Sequence, residues 1–206
     1  MLNKTQLKKL INKAGKDGRL IWAYKDGIHY MSDSFFMLKA NEKVFDSELV
    51  GLMYKYFNMK PESGDKVYRN KVEEKYDEFT RKKKPVYSAA ELENKDIFFF
   101  IENLRIADIF ALVEFLNIYV HFSDNDAALY GEFNKERNTV VAINRYFHEL
   151  IAWHDPKIHV PNTQYYRGKN RGIMFHDVDT DTKLLVLPCR IGRPKILSDR
   201  YVMENE

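Results

Sequence analysis

The sequence predicts an α+β protein in which helices pack on antiparallel β-sheets. Amphipathic helical stretches recur along the 206-residue chain, each followed by strands or by a strand-poor stretch. Regular strand–helix–strand alternation, the mark of a parallel α/β sheet, is missing. An apolar fraction of 45% supplies a core for one large domain or two small ones.

The elements follow in order. Thr5 to Ala14 places Leu7, Leu10, Ile11 and Ala14 on one helical face, and Gly15 is the expected C-cap. Leu20–Tyr24 and Ile28–Met31 read as strands joined through Lys25-Asp26-Gly27, because an Asp-Gly pair accepts the positive φ angles of a tight hairpin. Strand character continues up to Ala40. Ser47–Phe57 is a second helix with Leu49, Leu52, Met53 and Tyr56 as its stripe.

Residues 61–95 are polar and charged, with Arg81-Lys82-Lys83-Lys84 before Pro85, and are read as a loosely packed connector. Ile97–Ile101 is a buried-type strand and Ile106–Leu116 a third helix. Ile118–Phe122 and Ala128–Phe133 are expected to pair around Ser123-Asp124-Asn125-Asp126. Thr139–Ile143 is a strand, Asn144 an N-cap, and Arg145–Trp153 a fourth helix burying Phe147, Leu150 and Ile151. Lys157–Val160 and Gly172–His176 are strands, and a last strand is expected from Leu184 to Ile191. Pro188 within it demands an edge or a strand end.

The net charge is only +3, so nucleic-acid contact has to come from local clustering. Cys189 is the lone cysteine, which excludes an internal disulfide and a multi-cysteine zinc site and agrees with a reducing cytoplasm. No apolar run approaches a membrane span, and Met1 leads into a lysine-rich amphipathic helix rather than a signal segment. The expectation is a cytoplasmic protein with no membrane partner.

The unit from Asn138 to Ile191, a strand, a capped helix and three strands ending in Leu187-Pro188-Cys189-Arg190-Ile191, resembles the closing motif of the DNA sliding clamp family of polymerase processivity factors. Those domains end in a hydrophobic-Pro-Met-Arg-Leu pattern, from which Cys189 departs. Ser32-Asp33-Ser34-Phe35-Phe36-Met37-Leu38 likewise resembles the Thr-Asp-x-x-x-Leu turn and strand of clamp domains.

The resemblance implies a DNA-clamp-like fold, with helix pairs on antiparallel sheets, in a non-catalytic protein of phage or mobile-element type. Residues 1–92 would be a reduced first half, 93–191 a clamp-like domain, and 192–206 a tail; alternatively 93–191 forms one clamp-like domain and the N-terminal part is an accessory. The partners it implies are double-stranded DNA, held in a homo-oligomeric ring, and replication-protein peptides. The peptides would dock on the terminal strand at Leu187, Pro188, Cys189 and Arg190.

DNA would be held by phosphate neutralisation. Lys4, Lys8, Lys9 and Lys13 project from the first helix, with Arg145 an isolated cation on the fourth. Tyr165-Tyr166-Arg167-Gly168-Lys169-Asn170-Arg171 adds Arg167, Lys169 and Arg171 in an aromatic, cationic loop of the kind that stacks bases. The plainer alternative is that these lysines form a solvated face and the protein is a clamp-like adaptor without DNA. A competing class is a metal-dependent hydrolase built on His154-Asp155, His159, His176-Asp177, Asp179 and Asp181. That spacing matches no metal motif, so no metal, cofactor or catalytic residue is expected.

Overall fold

A computed structural model describes residues 2–33, 35–91, 110–122, 125–134, 137–151, 157–161, 173–177 and 179–189. It is a mixed α+β structure whose described strands form one eleven-stranded antiparallel sheet, with a helix pair against one side. No helix among the described residues is long and apolar enough to cross a membrane.

Helix α1 (Lys4–Lys16) starts where the Asn3 side chain accepts from the backbone N–H of Thr5 and Gln6, satisfying donors that the helix itself cannot. Leu7, Leu10, Ile11 and Ala14 are buried along its inner face. Gly15 is not the C-cap: α1 runs on to Lys16, and the positive φ falls at Gly18 (68°). Gly15 is needed for space, because a Cβ there would lie 2.7 Å from the Tyr56 ring.

Strands β1 (Ile21–Lys25) and β2 (Ile28–Ser32) pair with Lys25 opposite Ile28, and Asp26 and Gly27 make the turn with φ of 50° and 82°. Positive φ at both positions defines the hairpin turn that matches strand twist. Asp33 accepts from the N–H of Phe35 and Phe36 and directs the chain into β3 (Phe36–Asn41). Helix α2 (Ser47–Phe57) is capped by the Asp46 side chain on Leu49 N–H and ends at Asn58, which is left-handed at φ 54°.

The charged stretch expected to be a connector is instead a long hairpin, β4 (Lys66–Asp77) and β5 (Lys82–Glu91), which extends the sheet through β1. Backbone pairing, not apolar patterning, decides this segment. Pro85 is tolerated because β5 is the edge strand. The expected third helix is also overturned. Residues 110–122 form β6 (Phe110–Phe122), which pairs with β7 (Asn125–Asn134) on one side and β9 (Lys157–Pro161) on the other. Phe110, Val113, Phe115, Ile118 and Val120 favour a pleated surface, and two waiting partner strands outweigh a helical spacing.

Strand β8 (Arg137–Asn144) leads into α3 (Arg145–His148), where Asn144 is the expected N-cap and accepts from Tyr146 N–H at 2.9 Å. The helix stops well short of Trp153. Leu150 O accepts from Asn3 N–H, and Ile151 bridges to Leu2, so pairing with the N-terminal segment ends the helical ladder. Strands β10 (Ile173–Asp177) and β11 (Thr182–Val186) complete the order β5-β4-β1-β2-β3-β11-β10-β9-β6-β7-β8.

Strand β11 pairs with β3, Leu184 opposite Leu38, which joins the late part of the chain to the early part. One core accordingly holds Leu7, Ile11, Trp22, Leu38, Met53, Tyr130, Ile143 and Leu184. After β11, Leu187 N–H donates to Phe35 O and Cys189 N–H to Ala142 O, each at 2.8 Å. The expected strand Ile97–Ile101 and the tail 192–206 lie outside the described residues.

Candidate functional site

The four α1 lysines singled out from the sequence separate into two groups. Those at 4 and 8 face α2: Lys4 pairs with Asp46 and with Glu48 (2.8 Å), and Lys8 pairs with Glu48. Hydrogen bonding to Asp46, then to Glu48, raises the Lys4 pKa, and the bond from Lys4 lowers both carboxylates. Lys9 and Lys13 are exposed and make no ion pair among the described residues. Lys16, spaced a turn from Lys13, joins them, and sequence reasoning did not single it out.

Arg145 is not isolated. It pairs with Glu149 (2.9 Å) and Asp126 (3.5 Å) and lies over the Tyr119 ring at 4.9 Å. Arg167, Lys169 and Arg171 lie outside the described residues, as do His154, Asp155 and Arg190.

The described residues of the terminal segment differ in their exposure. Leu187 is exposed beside Phe35, Pro188 is half-buried, and Cys189 packs on Ala127, Leu129 and Ala142. Burial pushes the Cys189 thiol up, which makes it a poor thiolate nucleophile.

Among the histidine–carboxylate candidates, Asp181 has both oxygens engaged: Lys39 Nζ donates to one at 2.7 Å, and His176 Nε2 lies 2.9 Å from the other. Burial alone would raise its pKa, but the hydrogen bonds from Lys39 and His176 win and hold it below the usual carboxylate value. No cluster of three metal-ligating side chains occurs among the described residues. Asp177 and Asp179 form a turn, with the Asp177 carboxylate accepting from Asp179 N–H.

A cavity of about 450 Å³ opens between α2 and the β1–β2 hairpin, lined by His29, Glu42, Phe45, Ser47, Val50, Gly51, Tyr54 and Lys60. His29 is the buried wall. Its ring stacks on Phe45 (centroids 4.8 Å apart) and on Trp22 (6.0 Å), with Tyr24 tilted against it at 4.9 Å. Trp22 Nε1–H donates to His29 Nδ1 at 3.2 Å. Since indole nitrogen only donates, Nδ1 is the acceptor and the imidazole proton sits on Nε2. Burial, then the nearby Lys60 charge, lowers the His29 pKa to about 4, so the ring is neutral at physiological pH.

His29 Nε2 is buried and has no hydrogen-bond partner among the described residues. Lys60 Nζ sits 4.4 Å from the centre of the Tyr24 ring and makes no ion pair among the described residues, while Tyr24 OH donates to Glu42 at 3.1 Å. Sequence reasoning missed this cavity. The available signal was in α2, where Val50, Gly51 and Tyr54 lie off the Leu49–Met53–Phe57 stripe that fills the core.

The fold and this surface define an α+β protein with a helix pair on an antiparallel sheet, a lysine-bearing outer helix and an imidazole-walled cavity. No protein family, no curated protein and no solved structure matches the chain.

Proposed function

We propose that the chain is a non-catalytic, clamp-like, DNA-associated module with α1 as its phosphate-facing element. The stripe of Lys9, Lys13 and Lys16 carries this reading. These cations repeat along the solvent side of a helix anchored by Leu7, Leu10 and Ile11, and none is neutralised by a described carboxylate. Such a row reads phosphate spacing rather than bases, so binding is sequence-independent. The helix pair on an antiparallel sheet supports the clamp-like part of the reading. One copy presents a single α1–α2 pair among its described residues, so surrounding a duplex requires a homo-oligomeric ring.

Fluorescence anisotropy with unrelated duplexes at low salt tests this. The wild type binds them alike, and Lys9→Glu/Lys13→Glu/Lys16→Glu abolishes binding, whereas Lys4→Gln/Lys8→Gln, already paired within the protein, costs far less. Every phosphate that goes un-neutralised lowers the salt slope by roughly 0.9. Absence of wild-type binding, or binding unchanged in the triple variant, sinks the proposal.

A second reading, an adaptor without DNA, is favoured by the side-by-side exposure of Phe35 (47%) and Leu187 (40%). Replication-protein peptides with an apolar anchor would dock there. Under this reading Leu187→Asp eliminates peptide capture and leaves the α1 stripe untouched.

A further inference from the structure

We infer that the β4–β5 hairpin is an arm that inserts Phe79 between base pairs of duplex DNA. This role rests on the reading of the chain as DNA-associated, but on residues separate from the α1 stripe.

The hairpin leaves the fold as a free ribbon. Strand β1 pairs with β4 only from Lys66 to Tyr68, and Arg69 N–H donates to Leu20 O. From Asn70 to Asp77, β4 pairs only with β5 among the described residues. At about 3.4 Å per residue the ribbon reaches roughly 25 Å past the sheet. Two strands with no third strand or covering layer are marginal in water, so an arm of this length is stabilised by whatever it lies against. A register shift between Lys71 and Glu73 bends it. Its base is fixed, because Tyr56 carries Arg69 over its ring at 4.8 Å, donates to Asn12 Oδ1 at 2.6 Å and packs on Gly15. The arm therefore starts beside the half of α1 that bears Lys13 and Lys16.

The tip presents an aromatic ring backed by cations. Phe79 is fully exposed (101%) and Tyr76 is 62% exposed. Neighbours of Phe79 build the turn: Thr80 N–H donates to the Asp77 carboxylate at 2.8 Å, and Arg81 takes the left-handed φ of 52°. Phe79 contributes neither to the turn nor to the core, in a position where polar residues or glycine are usual. Arg81, Lys82 and Lys83 are exposed and make no ion pair among the described residues. Lys82 and Lys83 point to opposite faces of the ribbon, Lys83 on the face of Tyr76 across from it. Cations on both faces meet the two phosphate backbones that wall a groove, and a phenyl ring ahead of them is the kind of wedge that opens base steps from the minor groove.

The acids near the tip belong to β4 and the turn. Glu73 is paired with Lys75 at 3.0 Å, and Asp77 is engaged by Thr80 N–H. Glu78, exposed beside Phe79, decides against a lipid bilayer as the partner. Sinking the ring into hydrocarbon would draw that carboxylate after it, whereas a ring stacked on a base leaves it in the water of the groove.

The test uses the full chain and duplexes carrying 2-aminopurine at flexible pyrimidine–purine steps, where the fluorescence rises as the base unstacks. The wild type should raise it saturably. Phe79→Ala should remove the rise and weaken binding, read by anisotropy, by about tenfold, as loss of one stacked ring does. Arg81→Gln/Lys82→Gln/Lys83→Gln should lower the salt slope by roughly 2.7, at about 0.9 per phosphate contact. All four positions are exposed, so these variants keep the fold. Phosphatidylserine vesicles, the lipid counterpart, should capture nothing. The arm's role is overturned if the wild type binds duplex without unstacking it, if unstacking survives Phe79→Ala, or if Phe79 directs binding to the vesicles instead. A wild type that binds no duplex overturns both proposals. Unstacking that survives Lys9→Glu/Lys13→Glu/Lys16→Glu supports the arm and removes the α1 reading alone, whereas binding that needs those lysines but never unstacks the duplex removes the arm alone.

Discussion

The indole of Trp22 and the imidazole of His29 stand diagonally across the β1–β2 hairpin, joined by an Nε1–H to Nδ1 hydrogen bond of 3.2 Å. That bond settles the tautomer of a histidine that is only 1% exposed and leaves Nε2–H as a buried donor. A backbone hairpin thus dictates the chemistry of a side-chain site.

Acid destabilisation follows from this arrangement. The unfolded imidazole protonates near its ordinary 6.5 and the folded one near 4, so between those values the unfolded state binds more protons. The stability is complete above about pH 6.5 and is lost as pH falls toward 4. Burial lowers the His148 pKa as well and adds to the same slope. Denaturant titrations at pH 7.5, 6 and 5 should show the loss, of order 2 kcal/mol for His29. His29→Phe should flatten the slope while lowering stability at pH 7.5, because Trp22 loses its acceptor.

Glycine-to-alanine substitution should have opposite signs in the two helices. Gly51→Ala replaces an exposed helical glycine in open space and should stabilise by about 0.5–1 kcal/mol. Gly15→Ala drives a Cβ into the Tyr56 ring, which cannot easily retreat because its hydroxyl donates to Asn12 Oδ1 at 2.6 Å and Arg69 lies over its face at 4.8 Å. Overpacking of this kind costs about 1–3 kcal/mol. Thermal melts of the two variants should move in opposite directions, and parallel shifts would contradict the packing.

The α2 cap should respond to chemistry rather than to charge. Asp46→Asn keeps an oxygen for Leu49 N–H and should retain most of the stability. Asp46→Ala removes it and should cost about 1 kcal/mol by chemical denaturation. Equal losses would mean that the Lys4 pairing, not the cap, sets the contribution.

Lys39 is 8% exposed and depends on Asp181, whose carboxylate it shares with His176. Asp181→Asn should destabilise by about 1–3 kcal/mol, between an exposed and a buried ion pair. Because the Asp181 pKa is depressed in the fold, its stabilisation is present above the ordinary carboxylate value near 3.8 and is lost as pH falls from there through the lower folded value. Below that pH the variant and the wild type should converge. A gap that persists would assign the effect to packing.

Sequence periodicity and cap chemistry determined the local elements whose signals need no distant partner. These include both long helices, the Asp26-Gly27 turn and the Asn144 cap. Periodicity also carried the α+β class. It could not decide 110–122, where aromatic and β-branched residues fit either a helix stripe or a strand until β7 and β9 stand beside them. Nor could it decide 66–91, whose strand character lives in a backbone ladder with no apolar alternation to advertise it. The candidate site divides the same way. The amphipathic pattern put lysines on the outside of α1, but which of them stay unpaired was decided when α2 docked and brought Asp46 and Glu48 to Lys4 and Lys8. The His29 cavity is assembled from β1–β2, the turn before α2, α2 itself and Lys60. Its chemistry rests on interactions between residues far apart in the chain, and only tertiary packing supplies them.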